Sequence, residues 1–172
     1  MRRIASIIIL ICLLSACGFV PRGKFPISTD LQHLYLQTSS NFTPLSQSIE
    51  KTLAENNIEL ASSPDNAEII LKVFNEQQTN SLMTVGANQE TRQYKLIYSL
   101  QFSLYNNHNK LILGPRTIME YRTQIIQANQ LLDNNSETIQ LYESMREQAV
   151  IDLMYQLTAK DTSQLIDKSY EN

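Results

Sequence analysis

The stretch Tyr94–Leu104 constrains what this chain can fold into more than any other part of it. Tyr94, Leu96, Tyr98, Leu100, Phe102 and Leu104 alternate with Lys95, Ser99, Gln101 and Ser103, and Ile97 is the one exception. A period of two places every second side chain on the same face of a strand. The apolar set must be buried against a second layer, whereas the polar set predicts a face that is either wet or covered by a partner.

The rest of the chain supplies that second layer. Leu34-Tyr35-Leu36 reads as a short first strand, and Thr43-Pro44 as an N-cap followed by proline at the first helical position. Leu45, Ile49 and Leu53 then form a stripe at four-residue spacing, and Asn56-Asn57 offers a left-handed end to that helix. Ser62–Asn66 is a turn around Pro64, and Ala67–Asn75 is a strand with apolar groups on both faces. Gln77–Gln89 is polar and reads either as a long loop or as weakly paired strand ends. Asn106–Asn109 has the composition of a hairpin turn, and the return strand Lys110–Gln127 is interrupted by Gly114-Pro115, which suggests a bulge or an edge. Ser136 is placed to cap a final helix from Glu137 to about Ala159, with Ile139, Tyr142, Met145, Ala149, Leu153 and Leu157 as its buried stripe. The expected fold is therefore α/β (α+β): a two-layer sandwich, with two helices on one face of a mixed sheet of about four strands. It occupies residues 30–160, and residues 161–172 form a polar tail that frays.

The N-terminus has a different logic. Arg2 and Arg3 precede an apolar run, Ile4–Leu14, that is too short to span a bilayer, and then comes Leu14-Ser15-Ala16-Cys17. Residues 1–16 read as an export signal whose small-residue cleavage site, followed at once by Cys17, resembles the lipobox of bacterial lipoproteins. That resemblance implies cleavage before Cys17 and acylation there. Two or more acyl chains anchor a protein stably where one does not. Gly18 follows Cys17 in place of the Asp linked to inner-membrane retention, so the resemblance implies the periplasmic side of an outer membrane. Residues 17–29, with Pro21, Gly23 and Pro26, form a lipidated linker.

The residue inventory removes much chemistry. Cleavage leaves 12 basic and 17 acidic side chains, a net charge of −5, which disfavours nucleic acid as a partner. Cys12 leaves with the signal, so neither a disulfide nor a thiolate metal site is expected. His33 and His108 stand apart without ligand-spaced partners. The four glycines form no phosphate loop or dinucleotide fingerprint, so no metal, cofactor or catalytic residue is expected. Glu143 and Glu147 lie four apart on the final helix but flank Arg146, and read as a solvated face. Charge is uneven: Arg92, Lys95, Lys110, Arg116 and Arg122 face a single acid, Glu120, between positions 92 and 122. Such a hairpin can meet lipid phosphates, an acidic pore wall, or the acidic final helix.

Taken together, Cys17-Gly18-Phe19 with Arg22-Gly23 soon after, Pro44-Leu45-Ser46, Tyr94-Lys95-Leu96-Ile97-Tyr98 and Glu143-Ser144-Met145-Arg146 give a chain that resembles the LptE family of lipopolysaccharide-assembly outer-membrane lipoproteins. The resemblance implies a non-enzymatic plug inside the LptD β-barrel, supporting its assembly and the delivery of lipopolysaccharide to the outer leaflet. Arg92, Lys95 and Arg122 are the candidate contacts to lipopolysaccharide or to the barrel. The family's basic loops are not reproduced, since neither Gln77–Thr91 nor Gln124–Ser136 holds a Lys or Arg. The alternative is a freestanding lipid-binding or scaffold lipoprotein, which predicts a closed apolar cavity. The lipobox expectation is tested by inhibiting the lipoprotein signal peptidase in cells. An unprocessed precursor should accumulate, and Cys17→Ser should abolish acylation; normal maturation under the inhibitor would contradict it.

Overall fold

Burying one face of the alternating stretch requires neighbours on both its edges, and the sheet provides them. A computed structural model describes Phe25 and residues 31–87, 91–127 and 134–170. The expected signal, Cys17 and the linker apart from Phe25 lie outside these residues. The strands are β1 (His33–Gln37), β2 (Glu59–Leu60), β3 (Ile69–Val85), β4 (Thr91–Asn106) and β5 (Leu111–Gln127), in the spatial order β2-β1-β3-β4-β5. β1 runs parallel to β2 and β3, and β3, β4 and β5 are antiparallel. The helices are α1 (Pro44–Glu55), α2 (Asn134–Leu157) and α3 (Lys160–Tyr170), with a 3-10 turn at Pro64–Asn66. The mixed α+β class agrees with the sequence, and the two-residue β2 makes the sheet five-stranded.

Leu96, Tyr98, Leu100, Phe102 and Leu104 of β4 are all buried, together with Ile69, Leu71 and Val73 of β3. Leu45, Ile49 and Leu53 from α1, Met145, Leu153 and Leu157 from α2, and Ile166 from α3 join them in one cluster. Each fully buried aliphatic or aromatic side chain contributes about 1.5–3 kcal/mol, so this layer contact dominates stability. Local signals act as expected. The Thr43 hydroxyl accepts from the Ser46 N–H at 3.1 Å, Pro44 opens α1, and Asn57 ends it at φ 59°. The Ile58 N–H then closes back on the Leu53 carbonyl at 3.0 Å. In the hairpin, Asn106 Oδ1 accepts from the His108 and Lys110 N–H groups at 3.0 and 2.9 Å.

Three expectations need correction. Ser136 does not cap α2, because the helix already begins at Asn134. Ile139 is exposed and not part of the stripe. The Thr138 hydroxyl donates to Gln124 Oε1 at 2.9 Å, and Gln124 Nε2 donates to Glu137 Oε2 at 3.2 Å, so polar residues turn toward β5 and Ile139 turns away. The chain from Lys160 is helix and not a fraying tail: Ile166 is fully buried, the Thr162 hydroxyl donates to the Gln156 carbonyl at 2.6 Å, and the Tyr170 hydroxyl reaches the Glu68 carbonyl at 3.2 Å. One buried residue per turn anchors an otherwise polar helix. Of the two readings of Gln77–Gln89, strand pairing holds to Val85, with register shifts at Phe74/Gln77 and Leu82/Thr84.

Gly114-Pro115 sits where β5 slips register against β4, between the partners of Phe102 and Leu104. Gly114 has φ +113°, and a Cβ there would lie 2.6 Å from Ser103 Oγ and 2.9 Å from the Phe102 carbonyl oxygen. Ser103, expected on the polar face, is thereby only 2% exposed, covered by its own chain. Gly114→Ala should cost about 1–3 kcal/mol through positive φ and this close approach. Thermal melts should show a drop of several degrees; an unchanged melting temperature would contradict the assignment.

Candidate interaction surface

The odd-numbered residues of β4 from Gln93 to Gln101 point away from the helices. Lys95 pairs across with Ser81 and Thr123, Ile97 with Thr79 and Tyr121, and Ser99 with Gln77 and Met119. Lys95 Nζ lies 4.2 Å from the Tyr121 ring centroid, and Lys72 Nζ lies 4.2 Å from the Tyr105 centroid on the same outward face. The Tyr121 hydroxyl donates to Met119 Sδ at 3.2 Å. Gln101 accepts from Asn75 Nδ2 at 2.7 Å and donates to Thr117 Oγ1 at 3.2 Å. Met119, Tyr121 and Ile125 remain 51%, 46% and 60% exposed. Among the described residues of β3–β5, no carboxylate points outward. Two lysines laid on rings, neutral amides and hydroxyls, and an apolar patch make a surface that loses little when a protein covers it.

Strand parity separates the three candidate basic residues. Arg92 and Arg122 are even-numbered and lie on the helix side, whereas Lys95 faces outward, so they do not converge on one ligand. Arg122 Nη1 donates to the Tyr121 carbonyl at 2.8 Å and lies 3.6 Å from Glu120 Oε2. Arg92 is exposed near the open end, between Val85 and Ile126. His33 sits 3.6 Å from Glu59 at the sheet edge, and His108 stays in the turn. Glu143 and Glu147 are solvated as expected, but Arg146 is not: its side chain is 14% exposed and turned toward the sheet.

Arg146 belongs to a buried polar network that sequence reasoning missed. The Tyr98 hydroxyl donates to Glu76 Oε1 at 2.7 Å, and Arg146 Nε lies 3.8 Å from the same oxygen. Burial pushes the Tyr98 phenol far above its ordinary value, the Glu76 hydrogen bond and charge push it further, and Arg146 opposes them. Glu120 pairs with Tyr98 across the strands, on the helix side. Burial raises its carboxyl pKa, a hydrogen bond and charge from Asp152 on α2 add to the rise, and Arg122 opposes it. Gln148 Nε2 donates to Asp152 Oδ1 at 3.1 Å. The Tyr142 hydroxyl donates to the Thr79 carbonyl at 2.7 Å, and burial raises this phenol too. These contacts fix how α2 lies on the sheet. Among the described residues no three His, Cys, Asp or Glu side chains are grouped to hold a metal.

A raised folded-state pKa at Glu120 has a definite sign. Below the ordinary glutamate value the group is protonated in both states and costs nothing; as pH rises through the folded value, ionising it destabilises the fold. Glu120→Gln should therefore melt at a higher temperature than the parent at pH 7.5. The gap should close toward pH 4.5. Melts at both pH values check this, and a constant or reversed gap would contradict it.

Comparison with known proteins places the fold and the sequence together. A family model described as LptE, lipopolysaccharide-assembly, matches residues 31–157. The chain is 27% identical over 145 residues to the LPS-assembly lipoprotein LptE of Yersinia pestis (strain Pestoides F), covering 83% of this chain and 69% of that protein. The LptE of Yersinia pseudotuberculosis (serotype O:1b, strain IP 31758) matches with the same identity and coverage. The fold is similar to the crystal structure of rare lipoprotein B from Shewanella oneidensis (TM-score 0.66, 22% identity, 77% of this chain and 98% of that one). It is also similar to the solution structure of a lipoprotein B from Nitrosomonas europaea (TM-score 0.69, 18% identity, 86% of this chain and 95% of that one). Because the family match runs from Leu31 to Leu157, through every described strand and through α1 and α2, the chain belongs to the LptE family.

Proposed function

We propose that this chain is a non-catalytic, lipid-anchored subunit of the lipopolysaccharide-assembly machinery, seated as a plug in an LptD-like outer-membrane β-barrel. Acylation at Cys17 holds it on the periplasmic side of the outer membrane, and residues 17–29 tether the domain. No described helix is long and apolar enough to cross a membrane. The observation that carries the reading is the outward face of β3–β5. A domain lodged inside another protein must be stripped of water over much of its surface, and isolated charges there are costly. This face carries Met119, Tyr121 and Ile125 in the open, and Lys95 has its ammonium on a ring.

Lys95 is assigned to the barrel, and Arg92 and Arg122 to the helix-side rim. Lipopolysaccharide is a weaker ligand candidate, because an anionic head group calls for converging cations and these three diverge. The freestanding lipid-binding alternative asked for a closed apolar cavity. The prominent cleft, of about 630 Å³, is lined in large part by polar side chains from α1 and α2, including Lys51, Glu55 and Glu147.

The reading is tested by purifying the tagged, full-length lipoprotein from outer membranes in mild detergent. A large β-barrel should be recovered in near-equal amount, identified by mass spectrometry. Recovery of the lipoprotein alone, at every detergent strength that keeps it folded, would contradict the plug.

A further inference from the structure

β5 ends the sheet, and its outer edge is long, regular and unpaired among the described residues. In the order β2-β1-β3-β4-β5 it pairs with β4 alone, and from Arg116 to Gln127 its register against β4 runs without a break. An exposed edge of this kind is a template for another strand unless lysine, proline, a bulge or brevity blunts it. The opposite side of the sheet is blunted: β2 has only two residues, and β3 beyond its pairing with β1 carries the shifts at Phe74/Gln77 and Leu82/Thr84. Arg116–Gln127 has no lysine, proline or bulge. It is rich in the β-branched and aromatic residues that favour strands, among them Thr117, Ile118, Tyr121, Thr123 and Ile125.

We infer that this edge is closed by a second copy of the chain, β5 against β5, antiparallel about a two-fold axis at Tyr121. Such an axis stands perpendicular to the sheet, so both helix layers stay on one face and even-numbered residues meet even-numbered ones. Glu120 and Arg122 then face each other twice across the axis, Tyr121 meets Tyr121, Met119 meets Thr123 and Thr117 meets Ile125. The ladder runs from Arg116 to Ile126, about 37 Å. The neighbouring symmetric registers fail. An axis at Glu120 or at Arg122 sets a charge against its own copy, and one at Met119 sets Arg116 against Arg122. An axis at Ile118 draws Gly114-Pro115, where β5 slips against β4, into the ladder. One at Thr123 shortens the ladder and pairs no charges.

The charges already present favour a cation arriving from outside. The Glu120 side chain is only 14% exposed, Asp152 of α2 acts on its carboxyl, and Arg122 Nη1 stands 3.6 Å from it. Two carboxyls thus share this guanidinium, and Arg122 of the second copy brings another to the same place. A strand from an unrelated protein would need Glu-x-Arg in the same register to do so, whereas this chain is its own complement. One pairing uses up the β5 edge, and the outermost strands of the pair are then the two-residue β2 strands, so association stops at the dimer. The inference concerns the chain with β5 unpaired and does not rest on the barrel.

The test uses the processed, full-length lipoprotein, whose only native cysteine is the acylated one, purified free of any barrel. Under mild oxidation Tyr121→Cys should form a disulfide-linked dimer at least tenfold faster than Thr117→Cys, whose two copies lie about 27 Å apart in this register. In sedimentation, Glu120→Arg alone and Arg122→Glu alone should each lose the concentration-dependent dimer of the parent. An equimolar mixture of the two should regain it, because the exchanged charges again meet in opposite pairs. Equal rates for the two cysteine variants, a parent that stays monomeric at every concentration, or a mixture of folded charge variants that does not associate would each overturn it. Should either charge variant fail to fold, the two cysteine variants decide alone.

Discussion

The structure depends on β4 being paired along both edges and dry on one face only. β3 and β5 satisfy its backbone groups over nearly the whole length, and the three helices cover Leu96, Tyr98, Leu100, Phe102 and Leu104. Because the side-chain period is two, burying that face commits the intervening residues to the other. The outward array of Lys95, Ile97, Ser99, Gln101, Met119 and Tyr121 is therefore a direct consequence of the core and not a separate feature. Function, in this account, is placed on the side of the sheet that folding does not use.

The helix side is more than an apolar seal. A sheet packed on α2 by Met145, Ala149, Leu153 and Leu157 alone has little to fix the helix against sliding. The Tyr98–Glu76–Arg146 contacts, the Glu120–Asp152 pair and the Tyr142 hydroxyl on the Thr79 carbonyl add directional constraints. They carry an electrostatic cost, since the Glu120 carboxyl is harder to ionise than an ordinary one. Rigidity of this kind suits a domain that must present one fixed surface to a partner.

Much of this was legible in the sequence, and the gaps have physical causes. Alternation exposed β4, Thr43-Pro44 exposed the start of α1, and the asparagine run exposed the hairpin, because each signal is local. Arg146 was misread because Glu76 and Tyr98 lie 70 and 48 positions before it, and Glu76 reaches the helix side through a register shift that no spacing rule reveals. α3 is not evident from sequence because its fully buried side consists of Thr162 and Ile166 alone, and a polar threonine beside one isoleucine makes no apolar stripe. The scattering of the candidate site was detectable: Arg92 and Lys95 differ in strand parity, so one strand cannot present both on the same face. The apolar members of the outward patch, Met119, Tyr121 and Ile125, are hidden in sequence because β5 alternates less cleanly than β4.

The central claim is that the outward sheet face is the one covered by the barrel. A photoreactive amino acid incorporated in cells at Met119, Tyr121 or Thr123 tests it most directly. The account predicts ultraviolet-dependent adducts with a large β-barrel from all three positions, at yields at least tenfold above those from exposed α3 positions such as Gln164. Adducts from Gln164 with none from the sheet positions would contradict it.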